Sequence, residues 1–129
     1  MKFSKISLER LATCDERLQR VFAEVIKHYD CAILCGHRGK DEQNAERDAG
    51  RSKLSWPMSK HNTMPSRAVD AAPWPLDWND RERFALFAGF VRGIAMGMGI
   101  RLRLGADFNT NGRTKDDGWD MPHFELEDP

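Results

Sequence analysis

Apolar residues recur along this chain with two different periods, and the changes of period mark its elements. Leu18, Val21, Phe22, Val25 and Ile26 fall on one face of a 3.6-residue repeat, so an amphipathic helix is expected to run to about Tyr29-Asp30. Thr13-Cys14-Asp15-Glu16 has the form of a capping box before it, with Thr13 accepting a first-turn N–H and Glu16 reaching back. The apolar run Asp30 to Leu34 reads as a short buried strand, and Gly36 to Gly39 as the turn that delivers Arg38 to its end. Lys40 to Ala49 has the pattern of a polar helix closed by Gly50. Arg51 to Pro65, rich in Ser, Lys and Pro, has no period and is expected to be a long loop, a kind of segment that is commonly functional in a compact domain.

Period two returns at Arg67 to Ala72, where a strand would turn Ala68 and Asp70 to one side and Val69 to the core. Asn79-Asp80-Arg81-Glu82 offers a second capping box. Phe84, Phe87, Ala88, Val91, Ile94, Ala95 and Met98 mark the inner face of the longest helix, which Gly97 and Gly99 end. Arg101 to Leu104 alternates like a half-exposed strand, Asp107 to Gly118 is a turn-rich connection, and His123 to Leu126 is the last strand. Two or three helices gathered away from several short strands define an α+β class built on a small antiparallel sheet. A chain of 129 residues fits one domain, residues 1–129.

Composition bears on partners. With 20 basic and 20 acidic residues the formal charge is zero, so no global field draws the protein to nucleic acid, and the expected substrate attraction is local. No apolar run approaches the roughly 20 residues that span a bilayer, and Met1 to Arg10 lacks the continuous apolar stretch of a signal peptide, so a monomer without membrane insertion, cytoplasmic in the producing cell, is expected. Cys14, Cys31 and Cys35 cannot all pair within one chain; Cys31 and Cys35, in an apolar run, are expected to be buried filling. Trp74, Trp78 and Trp119 could line a groove for a glycan-peptide chain, but Trp is mostly core or half-core in a small domain, and two of the three are assigned to the core. His28 is placed in the last turn of the first long helix, His37 beside Arg38 in its loop, and Asp107, Asp116 and Asp117 in solvated turns, Asp107 being the one that could rim a cleft.

Two stretches carry the chemistry, Ser59-Lys60-His61-Asn62-Thr63-Met64-Pro65-Ser66-Arg67-Ala68-Val69-Asp70 and Trp119-Asp120-Met121-Pro122-His123-Phe124-Glu125. A catalytic zinc ion takes three protein ligands and keeps a fourth position for water, whose pKa it lowers to about 7. His61, Asp70 and His123 can fill the three places, and Asp120 can take the water's proton as general base. Glu125 competes for that role and is the preferred partner orienting the His123 imidazole. The ligands stand too far apart for one helical face, so they must converge from a loop and two strands, with Pro122 bending the chain so that Asp120 and His123 reach one cavity. Arg38 would bind a substrate carbonyl or carboxylate and stabilise an oxyanion.

At these residues the sequence resembles the peptidoglycan peptidases of the D-alanyl-D-alanine peptidase and L-alanyl-D-glutamate endopeptidase group, whose pattern is Ser-x-His-(x)n-Ala-x-Asp followed by (Asp/Glu)-x-x-His, and most closely its phage endolysins. Gly36-His37-Arg38-Gly39 with Gln43 looks like the group's Gly-x-Arg-(x)n-Gln segment, and Asn62 with Pro65 to Pro73 matches a phage-type variant, so the resemblance spans roughly Leu11 to Glu125. The link from His61 to Asp70 is longer than the commonest form, and Ser66 stands where Gly is usual. The resemblance implies a Hedgehog/D-alanyl-D-alanine-peptidase-like fold and one zinc ion on His61, Asp70 and His123. It implies Asp120 and Arg38 as catalytic residues, and Arg38, Ser59 and Gln43 as substrate-binding residues. It also implies an endolysin acting on the wall after release, with the stem peptide of bacterial peptidoglycan as substrate and L-alanyl-D-glutamate as the favoured bond. D-Ala-D-Ala carboxypeptidase or dipeptidase action is the alternative with the same metal site, and a zinc-stabilised wall-binding module that does not cut is the alternative from another class.

Overall fold

The computed structural model describes residues 1–127, the side chains of residues 116 and 117 excepted, so the expectation for Asp116 and Asp117 lies outside the described residues. The elements run α1 (Lys5–Leu11), α2 (Glu16–Val25), β1 (Cys31–Cys35), α3 (Lys40–Asp48), a 3₁₀ turn (Lys60–Asn62), β2 (Ala68–Pro73), α4 (Arg81–Gly97), β3 (Leu102–Leu104), α5 (Thr114–Asp117) and β4 (His123–Leu126). The four strands form one antiparallel sheet in the order β1-β2-β4-β3. The class is α+β, as expected. Helix α1 was not foreseen, because in seven residues only Ser7 and Leu11 are buried, too few to print a period.

Two faces of the sheet do different work. Val69 pairs with Phe124 and Leu104 with Phe124 across the ladder, and these side chains point to the core, where Phe22 of α2 and Phe87 of α4 meet Phe124 edge-on at centroid distances of 5.5 and 6.1 Å. Phe124 is fully buried, and truncating such a residue to Ala typically costs about 3–5 kcal/mol. On the opposite face Asp70 lies directly across from His123, and Ala68 from Glu125, because residues opposed in an antiparallel ladder share a face. Cys35 stands beside Asp70 on the other side, so one row of the sheet reads Cys35, Asp70, His123.

Local chemistry differs from the sequence reading at both helix starts. Asp15, not Thr13, caps α2 by accepting from the Arg17 N–H, while the Thr13 hydroxyl donates to the Arg10 carbonyl and accepts from the His37 N–H. Asp80, not Asn79, caps α4 by accepting from the Arg83 N–H. In each case the helix begins later than the capping-box pattern placed it, at Glu16 and at Arg81, and the residue immediately before that start is the cap. Helix α2 ends at Val25, and His28 lies in the turns that follow, paired with Glu24 at 2.8 Å. Asp107 is buried rather than solvated; it accepts from the backbone N–H groups of Asn111 and Gly112 and so organises the loop before α5.

The tryptophans correct the expectation most clearly: Trp74, Trp78 and Trp119 are 50%, 60% and 43% exposed, so none is core. The three phenylalanines that meet in the centre fill the space instead. Cys14 and Cys31 are buried thiols whose pKa burial pushes up to about 12, whereas Cys35 is half-buried and faces the cleft. No helix among the described residues is long and apolar enough to cross a membrane.

Candidate metal centre and cleft

His61 reaches the sheet from the 3₁₀ turn. Ser59 caps that turn by accepting from the His61 N–H, and the Asn62 side chain reaches back to accept from the Ser59 N–H. The turn is tied to two neighbours: the Arg38 N–H donates to the His61 carbonyl, and the Arg67 N–H to that of Lys60. Ser66, fully buried where the group's pattern has Gly, uses its hydroxyl to donate to the Ala68 carbonyl and accept from the Ala68 N–H, which locks the entry to β2. The longer link from His61 to Asp70 is taken up in this way without displacing either residue from the site.

The three atoms that face one another are His61 Nε2, His123 Nδ1 and Asp70 Oδ1. They lie 3.2 Å (His61 to Asp70), 3.2 Å (His123 to Asp70) and 3.3 Å (His61 to His123) apart. Ligands bonded at about 2.0–2.1 Å to a tetrahedral ion stand about 3.3–3.4 Å from one another, so this triangle has the dimensions of one face of such a site. The remaining nitrogen of each imidazole is engaged: His61 Nδ1 lies 2.7 Å from the Gly36 carbonyl, which requires an N–H there, and His123 Nε2 lies 2.9 Å from Glu125 Oε1. Both contacts direct a lone pair inward, the arrangement that metal-binding histidines use. Among the described residues, His61, Asp70 and His123 are the group that could hold a metal ion.

The ionisable groups around this triangle shift one another strongly. Burial alone would lower the pKa of His61, but the Asp70 carboxylate outweighs it and holds the imidazole up to about 10. For His123, burial is likewise outweighed by hydrogen bonds to Asp70 and Glu125, to about 9. Asp70, although burial opposes it, is held far below the usual carboxylate range by the two imidazoles. Glu125, which burial would raise, is kept at about 2 by His123 and by Lys60, whose Nζ is 3.1 Å from Glu125 Oε2. The nitrogens that face Asp70 are the positions from which these two imidazoles could bind a divalent cation.

Asp120 is the acid with the opposite behaviour. Burial, then the charge of Asp70, pushes its carboxyl up to about 6 against partial relief from His123, His61 and Arg38. Its Oδ2 is 3.7 Å from His123 Nδ1, and the His123 N–H donates to the Asp120 carbonyl, so the chain turns at Met121-Pro122 as the sequence reading required. Gly105 sits under this turn: a Cβ there would lie 1.9 Å from the Asp120 carbonyl oxygen.

Arg38 projects over the site, with NH2 3.5 Å from Asp70 Oδ2 and NH1 2.9 Å from Gln43 Oε1. Gln43 is fully buried; its Oε1 also accepts from Asn62, and its Nε2 donates to Ser52 Oγ and to the Leu54 carbonyl. Both ends of the Gln43 amide are thus engaged inside the protein, one of them on Arg38. Ser59 lines the cleft, with its hydroxyl engaged on the turn. The cleft is about 1380 Å³ and is lined by His61, Asp70, Asp120, His123 and Arg38, with Lys53, Trp78, Phe108 and Trp119 along its walls. The aromatic wall was legible only as a possibility, since nothing in an unaligned sequence separates a rim tryptophan from a core one.

By fold and donor set, this is a small α+β domain with a two-histidine, one-carboxylate group that could hold a metal ion, open to a cleft. The family model described as phage L-alanyl-D-glutamate peptidase matches residues 1–127, and the chain belongs to that family. It is 34% identical over 134 residues to the L-alanyl-D-glutamate peptidase of Escherichia phage T5, covering 97% of each protein. Its fold is similar to the crystal structure of the Serratia marcescens L-Ala D-Glu endopeptidase ChiX, with a TM-score of 0.75 and 26% identity over 98% of this chain and 90% of that one.

Proposed function

We propose that this chain is a zinc-dependent endopeptidase that cuts the L-alanyl-D-glutamate bond of the peptidoglycan stem peptide. It acts as a monomeric phage or prophage endolysin on the wall after release from the producing cell. The observation that carries the reading is the triangle of His61 Nε2, His123 Nδ1 and Asp70 Oδ1, with edges of 3.2–3.3 Å, beside a carboxyl held at about 6. An acid raised toward neutrality beside the triangle, at the rim of a cleft, is suited to general-base work. That tuning favours an enzyme over a binding module. The relatives named above are L-alanyl-D-glutamate enzymes, which favours that bond over D-Ala-D-Ala.

His61, Asp70 and His123 would hold the zinc ion. When bound, zinc supplies a Lewis acid that polarises a carbonyl and brings the pKa of water to about 7. The chain's own groups do the rest. Glu125, kept ionised by His123 and by Lys60, fixes the His123 ring through Nε2, and the Gly36 carbonyl fixes His61 through Nδ1. Asp120, ionised at neutral pH, accepts a proton on its carboxylate from the water that attacks the L-alanyl carbonyl carbon. It returns that proton to the departing nitrogen of D-glutamate as the C–N bond breaks. The Arg38 guanidinium, held by Gln43, faces the cleft where negative charge develops on the carbonyl oxygen.

The test is digestion of defined muropeptides by purified protein, stripped by chelator and then reloaded with zinc. Free L-alanine carboxylate and a new D-glutamyl amine are expected only with metal. Binding to walls without cleavage, in protein shown to contain zinc, would leave the module reading standing instead.

A further inference from the structure

The cleft is larger than the roughly 300–1,000 Å³ of an ordinary small-molecule pocket, and far larger than a dipeptide requires. Part of its lining is an aromatic wall. Phe108 packs 6.0 Å from the His123 ring, and Trp119 packs 5.9 Å from Phe108, so the wall starts at the metal centre and runs outward. Trp78 lines the same cleft from the segment before α4. Arg81, at the start of α4, donates to the carbonyls of Thr114 and Gly118, which ties Trp78's segment to the one that carries Trp119.

The four exposed indoles are not equivalent: Trp56 is outside the lining of this cleft and has the Lys40 ammonium 5.8 Å over its ring. Trp74 lines a separate small pocket with Lys2 and Asp30, away from the metal centre. Trp119 has the Lys53 ammonium 4.5 Å over its ring, so that ring already has an occupant. Trp78 is stacked nearly parallel on Phe84, with centroids 5.4 Å apart and planes 14° apart, and Phe84 is itself buried. One face of Trp78 is thus pinned to the core while the residue remains 60% exposed. A large, rigid ring face held open on the wall of a cleft is suited to binding an apolar face of a ligand.

The substrate supplies the occupant. In peptidoglycan the amine of the stem's L-alanine is joined by an amide to the lactyl group of an amino sugar, so the residue next to the cut bond is already attached to the glycan. A cleft that cuts after that alanine meets a sugar ring one residue from its metal centre. The apolar C–H face of a pyranose matches an open indole, whereas the charged distal part of the stem peptide does not.

We propose that Trp78 is a sugar-binding platform that holds the N-acetylated amino sugar carrying the stem peptide. The proposal rests on the peptidase reading above.

The experiment compares kcat/KM of the zinc-loaded protein on two substrates with the same stem peptide, one carrying the disaccharide and one carrying only an N-lactoyl group, which keeps the alanine amide. Wild type is expected to prefer the glycosylated substrate by about 2- to 10-fold, the scale of one aromatic contact. Trp78→Ala is expected to bring that ratio to about one, and Trp78→Phe to retain part of it. Thermal unfolding verifies that both variants are folded at the assay temperature. An unchanged ratio in Trp78→Ala, including an equal loss on both substrates, overturns the platform alone. Absence of cleavage of either substrate by wild type overturns the peptidase reading and the platform with it.

Discussion

Loading the metal-free protein with zinc is the perturbation that most directly examines the centre, because the ion must displace protons that the structure holds tightly. A histidine ligates as neutral imidazole, so each inward nitrogen that carries a proton must release it. With His61 at about 10 and His123 at about 9, both are protonated at pH 7, and each zinc ion is expected to release about two protons. Ordinary imidazoles, with pKa about 6.5, would together release only about half a proton at that pH. The logarithm of the apparent affinity should then climb by about two for each pH unit between about pH 6 and 8. Titration calorimetry in buffers of different ionisation enthalpy measures the count directly. The same linkage has a sign for stability: the raised imidazole pKa values stabilise the metal-free fold fully below about 6.5, and that contribution is lost as pH rises through about 9 to 10. The metal-free melting temperature should therefore fall across that alkaline window. Release of half a proton or less per zinc, with affinity almost flat in pH, would show that Asp70 does not lie between two charged imidazoles, and failure of zinc to bind at all would remove the metal assignment.

Three further outcomes are expected. Asp120→Asn should lose about 10²–10⁴-fold in kcat with zinc content unchanged, and the acid limb of the wild-type rate profile should lie at or below about 6, since the base must be ionised and a bound cation can only lower its pKa; a limb above 7 would contradict the assignment. Gln43→Leu keeps the volume but removes every hydrogen bond of the amide, so kcat should fall in the wild-type background and change little further when Arg38 is already Met; independent, multiplicative losses in that double-mutant cycle would refute the hold on Arg38. Gly105→Ala pushes a methyl group to within 1.9 Å of the Asp120 carbonyl and should reduce both zinc content and melting temperature, while wild-type values for both would show that the turn yields freely.

The α+β class and the donor set were legible in the linear order because each rests on a local signal. Alternation with period two placed β2 and β3 and turned Asp70 away from Val69, and the 3.6-residue face placed α2 and α4. The resemblance at Ser59, His61, Ala68, Asp70, Asp120 and His123 named the ligand types. Helix starts were less legible, since Thr13 and Asp15, or Asn79 and Asp80, are neighbours that could each cap, and only backbone geometry chooses between them.

What the sequence determined by itself is therefore the identity of the donors and the elements that carry them. Tertiary structure alone decided the rest: the ladder register that sets Asp70 opposite His123, the contacts to Gly36 and Glu125 that choose which nitrogen of each ring faces inward, the burial of Gln43 behind Arg38, and the exposure of Trp78. The physical reason is range. Periodicity and capping are interactions between residues a few positions apart, whereas pKa, tautomer and exposure are set by groups that meet only when segments as distant as residues 36, 61, 70 and 123 pack on one face of a sheet.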